Sequence, residues 1–176
     1  MNAIAQNQGR RCQDFEGYYN NLDIAVNHAE EVRVLDLSNQ NLTQLSYKIT
    51  SLDNLEVLIL DGNQLSDVSY AIASLNHLRV LSIRDNNLTG ISYTIANLTN
   101  LRELILDGNQ ISDISYSITN LTNLERLSLR NNKLTSISYS IANLSNLTML
   151  DVRGNQITST PYFLGQMASL RLLYVN

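Results

Sequence analysis

The chain has 176 residues, 44% of them hydrophobic, and a formal net charge of -4. That length suits one domain with a substantial core, and the acidic balance argues against a sequence-independent nucleic-acid binder, which needs a basic surface to displace counterions. No apolar run approaches the roughly 18 residues of a membrane span, and the single cysteine, Cys12, can form neither an intrachain disulfide nor a thiol cluster for zinc.

Residues 1–13 are polar and read as a mobile tail, in which the pair Arg10–Arg11 is solvated. This start lacks the apolar centre of a secretory signal. The chain is therefore expected in the cytoplasm, or outside the cell if a signal has been removed. A helical N-terminal cap is expected over 14–31. Phe15, Tyr18, Tyr19, Leu22, Val26 and Ala29 recur at helical spacing and predict one amphipathic helix over 18–29. Asp14 is a candidate cap for an early turn, and Asn20 or Asn21 for a later one. Glu30 and Glu31 disfavour a helix C-terminus, so the helix should stop by His28 or Ala29. Its apolar face should cover the exposed edge of the segment that begins at residue 32.

From residue 32 the chain repeats. Residues 58–103 and 104–149 are identical at 29 of 46 aligned positions, and each block splits in half, giving a period of 23. The leucines that open each unit show it: Leu35, Leu58, Leu81, Leu104, Leu127, Leu150 and Leu173. A fixed period of this size is the signature of a solenoid. The expected solenoid covers 32–176, as six full repeats and a partial seventh strand. Alternation within VRVLDL, EVLIL, RVLSI and their successors sends one set of side chains inward, among them Leu58 and Leu60, Leu81 and Ile83, Leu104 and Leu106.

An asparagine comes after each strand: Asn63, Asn86, Asn109, Asn132 and Asn155, with Gln40 in the first unit. A side chain with both donor and acceptor can bond backbone of its own turn and of its neighbour, so the column reads as a structural ladder. Gly62, Gly108 and Gly154 suit tight turns after strands. Each unit then runs Ser-Tyr-x-Ile, except Thr160-Pro161-Tyr162-Phe163-Leu164. The serines can bond nearby backbone. The tyrosines Tyr47, Tyr70, Tyr93, Tyr116, Tyr139 and Tyr162 should stack as a column outside the bend. Two readings of them stand: a shield over the convex apolar layer, which is favoured, or a strip for a partner or glycan.

The spacing L-x-x-L-x-L-x-x-N-x-L resembles the leucine-rich repeat family, in its 23-residue, bacterial-like class. In the second unit it is carried by Leu55, Leu58, Leu60, Asn63 and Leu65, then Val68, Ile72 and Leu75. The resemblance covers 32–176 and implies an α/β solenoid: a horseshoe with a parallel β-sheet on its concave face, used mostly to bind other macromolecules. The convex Ser-Tyr departs from the family's Leu-Pro. Leu170, Leu173 and Val175 should leave an open apolar edge, in a longer array or covered by dimerisation or a partner.

Function in such a scaffold lies in columns that the repeat leaves free. One concave column is Ser38, Asp61, Arg84, Asp107, Arg130, Arg153 and Asn176, alternating in sign from Asp61 to Arg130. It reads either as a self-satisfied salt-bridge ladder or as a stripe that sets specificity. The next column holds Ile59, Ser82, Ile105 and Ser128, and the next Val57, Val80, Glu103 and Arg126. Val57, Ile59 and Val80 are expected as an exposed aliphatic patch, extended sparsely by Ile105, Met149 and Tyr174, without packing partners and so available for binding.

No enzyme is expected. His28 and His77 are too far apart to share a metal, no Ser–His–Asp arrangement is credible, and no phosphate-binding glycine loop occurs. His77 takes the place of a turn asparagine. The six N-x-S/T sequons arise from the repeat itself. The reading is a non-catalytic protein-binding module that uses Val57, Ile59, Asp61, Val80, Arg84, Ile105, Asp107, Arg126, Arg130 and Arg153. It needs no cofactor, metal, nucleic acid or membrane. The alternatives are self-association through the C-terminal edge and a cell-surface glycan or peptide receptor.

Overall fold

The structure is a computed structural model that describes residues 16–68 and 70–175. The predicted tail, Asp14, Phe15 and Asn176 lie outside the described residues. One sheet of eight parallel strands runs in chain order. Its strands are β1 (Tyr18–Tyr19), β2 (Val34–Asp36), β3 (Val57–Ile59), β4 (Val80–Ser82), β5 (Glu103–Ile105), β6 (Arg126–Ser128), β7 (Met149–Asp151) and β8 (Leu172–Tyr174). Register is one unit per coil: Val57 lies opposite Val80, Leu58 opposite Leu81, and Ile59 opposite Ser82. Residues 23 apart therefore stand side by side, and every sequence column becomes a physical row.

The inward leucines and isoleucines form one continuous core. Leu58, Leu81, Leu104 and Leu127 are fully buried from the strands, and Ile49, Ile72 and Ile141 close the convex side. Each fully buried side chain of this size contributes about 1.5–3 kcal/mol. A single coil could not bury them alone; stacking does it.

The asparagine column forms the expected ladder. Asn109 Nδ2 donates to the carbonyls of Ile83 at 2.8 Å and Leu106 at 3.1 Å, while Oδ1 accepts from Leu88 N–H at 3.0 Å. The same set recurs at Asn132 with Leu106, Leu129 and Ile111. Each amide thus bonds backbone of its own coil and the one before. Gln40, one methylene longer, reaches outward and donates to Asn20 O at 2.9 Å, in the cap. A second ladder runs before the strands. Asn100, Asn123 and Asn146 donate to carbonyls 24 residues earlier, and His77 Nδ1 lies 2.8 Å from Asp53 O in the equivalent place.

The convex side is built of five-residue 3-10 helices, such as Tyr93–Asn97 and Tyr116–Asn120. Serines cap four of them: Ser46, Ser92, Ser115 and Ser138 accept from the N–H two residues on. Pro161 makes no such bond.

The turn after each strand has an alternation at 46 residues. Asn39, Gly62, Asp85, Gly108, Asn131 and Gly154 all have positive φ, from 50° to 71°. Every coil needs the left-handed conformation here, yet only every second one uses glycine. A Cβ on Gly108 would lie 2.1 Å from Asp85 Oδ1, and one on Gly154 2.1 Å from Asn131 Oδ1. The Asx side chain of one coil occupies the space that a side chain on the next would need.

The cap corrects the helix predicted over 18–29. Tyr18–Tyr19 is instead a strand, β1, paired with Val34 and Leu35, and the helix α1 is only Leu22–Val26. The reason is the open edge of β2. Gly17 O accepts from the N–H groups of Arg33 at 2.9 Å and Val34 at 3.1 Å, so aromatic, strand-favouring residues satisfy a sheet edge before the chain turns. Asn21 Oδ1 caps α1 by accepting from Ile24 N–H at 3.0 Å. Ala25 is buried, and Tyr19, Leu22, Val26 and Ala29 pack against the core, so the first coil is covered as expected.

Candidate functional site

The concave face is three rows of side chains from these strands. Its N-terminal half is flush. Val34, Val57, Ile59 and Val80 form a small cluster of their own, with Tyr18 packed against it. The exposed aliphatic patch expected at Val57, Ile59 and Val80 is therefore corrected. Ile59 keeps 9% of its surface and Val80 2%, and Ile105 also keeps 2%. In-register neighbours stand about 4.8 Å apart, within reach of one another's side chains. The branched groups bury one another, so these residues do have packing partners within the chain.

The carboxylates form the second layer. Asp61 Oδ1 accepts from Ser82 Oγ at 2.6 Å and Arg84 N–H at 2.9 Å. Asp107 repeats this 46 residues later, with Ser128 Oγ at 2.5 Å and Arg130 N–H at 2.9 Å. Asp151 accepts from Arg153 Nε at 3.0 Å and Nη2 at 2.5 Å. Burial pushes the Asp61 carboxyl above the usual aspartate range; the bonds from Ser82 and Arg84 and the Arg84 charge pull against it. Arg153, bonded to Asp151, is held more firmly protonated than a free guanidinium. It also lies over the Tyr174 ring, 4.6 Å from its centroid, a cation–π contact.

The arginines form the top layer. Arg84 Nε stands 3.9 Å from Asp107 Oδ2, Arg130 Nε 3.9 Å from Asp151 Oδ2, and Arg126 Nε 3.6 Å from Glu103 Oε1. These are ion pairs beyond hydrogen-bond length. Arg84 Nε and Arg126 Nε are buried with no hydrogen-bond partner. The alternation in sign from Asp61 to Arg130 is thus not one uniform ladder. Each Asp meets the following Arg through its backbone N–H, and Arg84 meets the next Asp through its side chain. Arg130 and Arg153 are exposed, and Asp61, Arg84, Asp107 and Arg126 are half-buried.

Sequence reasoning missed Glu103, Asp151, Ser82 and Ser128 as members of this network. The signal was present: Ser82 and Ser128 alternate with Ile59 and Ile105 in step with Asp61 and Asp107. At the C-terminal end Leu172 and Tyr174 are exposed on β8. Among the described residues, no group of three or more His, Cys, Asp or Glu is placed to hold a metal ion. No described helix is long and apolar enough to cross a membrane.

This parallel solenoid defines a repeat scaffold with an open concave face. The leucine-rich repeat region family matches residues 68–176, and the chain belongs to the leucine-rich repeat family. Three similar solved structures are bacterial. The internalin InlF of Listeria monocytogenes is 28% identical with a TM-score of 0.76, over 90% of this chain and 46% of that one. The internalin InlC2 of the same species is 31% identical with a TM-score of 0.72, over 83% and 62%. A leucine-rich repeat protein of Leptospira interrogans is 25% identical with a TM-score of 0.75, over 89% and 52%. The chain spans about half of the length of the solved chains it matches, from 46% to 62%. No curated protein matches its sequence. Proteins of this family are generally non-catalytic interaction modules.

Proposed function

We propose that the concave sheet binds a protein partner, with the contact centred on its C-terminal half. One observation carries this reading: one oxygen each of Asp61 and Asp107 is bonded within the face, while the guanidinium groups of three arginines reach carboxylates only at ion-pair distance. Asp61 and Asp107 are each closed by a serine hydroxyl and a backbone N–H. Arg84, Arg126 and Arg130 have carboxylates only at 3.6–3.9 Å. Guanidinium forks on a packed apolar floor are what arginine-centred interfaces use. Val57, Ile59, Val80 and Ile105 then serve as the floor beneath the contact and fix the height of the charged layer. Seven or eight strands give a width of about 30 Å, enough for a standard interface of about 800 Å² per partner.

The test is cross-linked capture of partners followed by mass spectrometry, run with the parent and with Arg84→Glu/Arg130→Glu. The expected result is a protein captured by the parent and weakened by about 2 kcal/mol or more in the variant, with a cooperative melt showing that the variant is folded at the temperature of the assay. Equal capture by both would remove the concave stripe from the interface.

A further inference from the structure

The six tyrosines of the convex side do not shield it. Tyr47, Tyr70, Tyr93, Tyr116, Tyr139 and Tyr162 keep between 67% and 85% of their surface exposed. The layer beneath is closed without them, by Ile49, Ile72, Ile95, Ile118 and Ile141, each at most 1% exposed. This overturns the expected role as a cover. It leaves a row of aromatic rings in water, one per coil, a feature that marks a contact surface.

Tyr70, Tyr93 and Tyr139 touch aromatic neighbours at their sides, and the rings keep most of their surface in water. Tyr70 and Tyr93 have centroids 6.5 Å apart and planes tilted by 58°. Tyr139 meets Phe163 edge-on at 5.1 Å. Between Tyr47 and Tyr70 lies an open groove of about 500 Å³ whose other lining is Thr50, Ala71, Ala73, Ser74 and two asparagines. The small residues keep the groove low beside the rings. From Tyr70 to Tyr139 the helices and the turns after them carry no formal charge: residues 70–78, 93–101, 116–124 and 139–147 contain no Asp, Glu, Lys or Arg, whereas the Tyr47 coil has Lys48, paired with Asp23, and Asp53. What they offer beside the rings is hydroxyls and amides.

That chemistry selects the occupant. A charged peptide, a nucleic acid or a sulfated glycan would find no counter-charge on the coils from Tyr70 to Tyr139. A sugar ring has an apolar C–H face that packs on the electron-rich face of an aromatic ring, and a rim of hydroxyls that pair with Ser, Thr and Asn. A polymer of such rings meets one platform per coil, so weak individual contacts sum through effective concentration. We propose that the tyrosine column binds a neutral polysaccharide laid along the axis of the solenoid. The site is separate from the concave face and does not depend on the reading given to that face.

The chain contains no tryptophan and nine tyrosines, so its intrinsic fluorescence reports largely on this column. The experiment is affinity electrophoresis and tyrosine-fluorescence titration against soluble neutral glucans, mannans and galactans, with a sulfated glycan and poly-glutamate as charged controls. The variants are Tyr70→Ala/Tyr93→Ala/Tyr116→Ala and the matching triple Phe, each checked for a parental melting curve. Expected is retardation by at least one neutral polysaccharide, unaffected by about 0.5 M salt. Affinity should drop about tenfold or more in the Ala triple and stay within about threefold in the Phe triple. The concave variant Arg84→Glu/Arg130→Glu should bind the polysaccharide as the parent does. The proposal is overturned if no neutral polysaccharide retards the parent, if the Ala triple binds equally well, or if only the charged controls bind. A protein captured through the tyrosines in the absence of any glycan binding would overturn it too.

Discussion

Asp61 shows how far one residue's chemistry is set by its row. Its carboxylate is bonded by Ser82 and by the Arg84 backbone, yet burial outweighs both and raises its pKa. For an acid raised in the folded state, the contribution to stability is fully present below the unfolded pKa and is lost as pH rises through the folded one. Asp61→Asn removes that loss. Its stability relative to the parent should therefore improve as pH rises above the ordinary aspartate pKa of about 3.9 and level off once the folded carboxyl is ionised, measured by urea denaturation across the range. A difference that stays flat with pH would show that Asp61 does not titrate above its unfolded value. A concave acid of this kind acts as a fastener between coils. It holds a hydroxyl and a backbone N–H of the next strand, which removes it from the groups available to a partner.

At the scale of elements, the turn after each strand explains why the chain repeats better at 46 residues than at 23. The left-handed residue is Asn or Asp in one coil and glycine in the next, because the Asx oxygen fills the space where a Cβ would go. Gly108→Ala should cost about 1–2 kcal/mol for its positive φ, and more for displacing Asp85. Asp85→Gly removes the blocking oxygen but leaves φ unchanged. The double variant should consequently lose less stability than the sum of the singles, with a coupling of about 0.5 kcal/mol or more in a double-mutant cycle. Strictly additive losses would mean that the two turns are independent. Neighbouring coils also override local preference in the cap. The spacing from Phe15 to Ala29 is helical, but an unpaired sheet edge is a stronger local demand than propensity, and Tyr18–Tyr19 answers it as a strand.

For the whole molecule, stability is close to a sum of coils and the interfaces between them. The 46-residue alternation makes a specific demand on that sum. Duplicating residues 58–103 in place preserves every row: Asp over Ser, Asx over Gly. Duplicating residues 58–80 alone sets Gly beside Gly and puts isoleucine where Asp61 needs the hydroxyl that Ser82 supplies. The longer insertion should raise the melting temperature more than twice as far as the shorter one. Equal gains per coil, read by calorimetry, would show that the double repeat has no energetic content.

Much of this architecture was legible in the chain itself. The coil length, the inward leucines, the asparagine ladder, the serine caps and His77 as a turn residue all derive from the 23-residue period. A stacked repeat makes its own copy its nearest neighbour, so residue spacing translates directly into contact. What the tertiary structure alone decided was depth. Val57, Ile59, Val80 and the six tyrosines occupy the rows that the spacing assigns to them, but their exposures came out opposite to expectation. The neighbouring coil is the physical reason. On the sheet, rows in register about 4.8 Å apart let branched side chains bury one another. On the other side each tyrosine opens a 3-10 helix whose isoleucine or leucine already closes the core, so its ring stands in water. Exposure is set by what stands on the adjacent coil, so the residues of one repeat do not encode it.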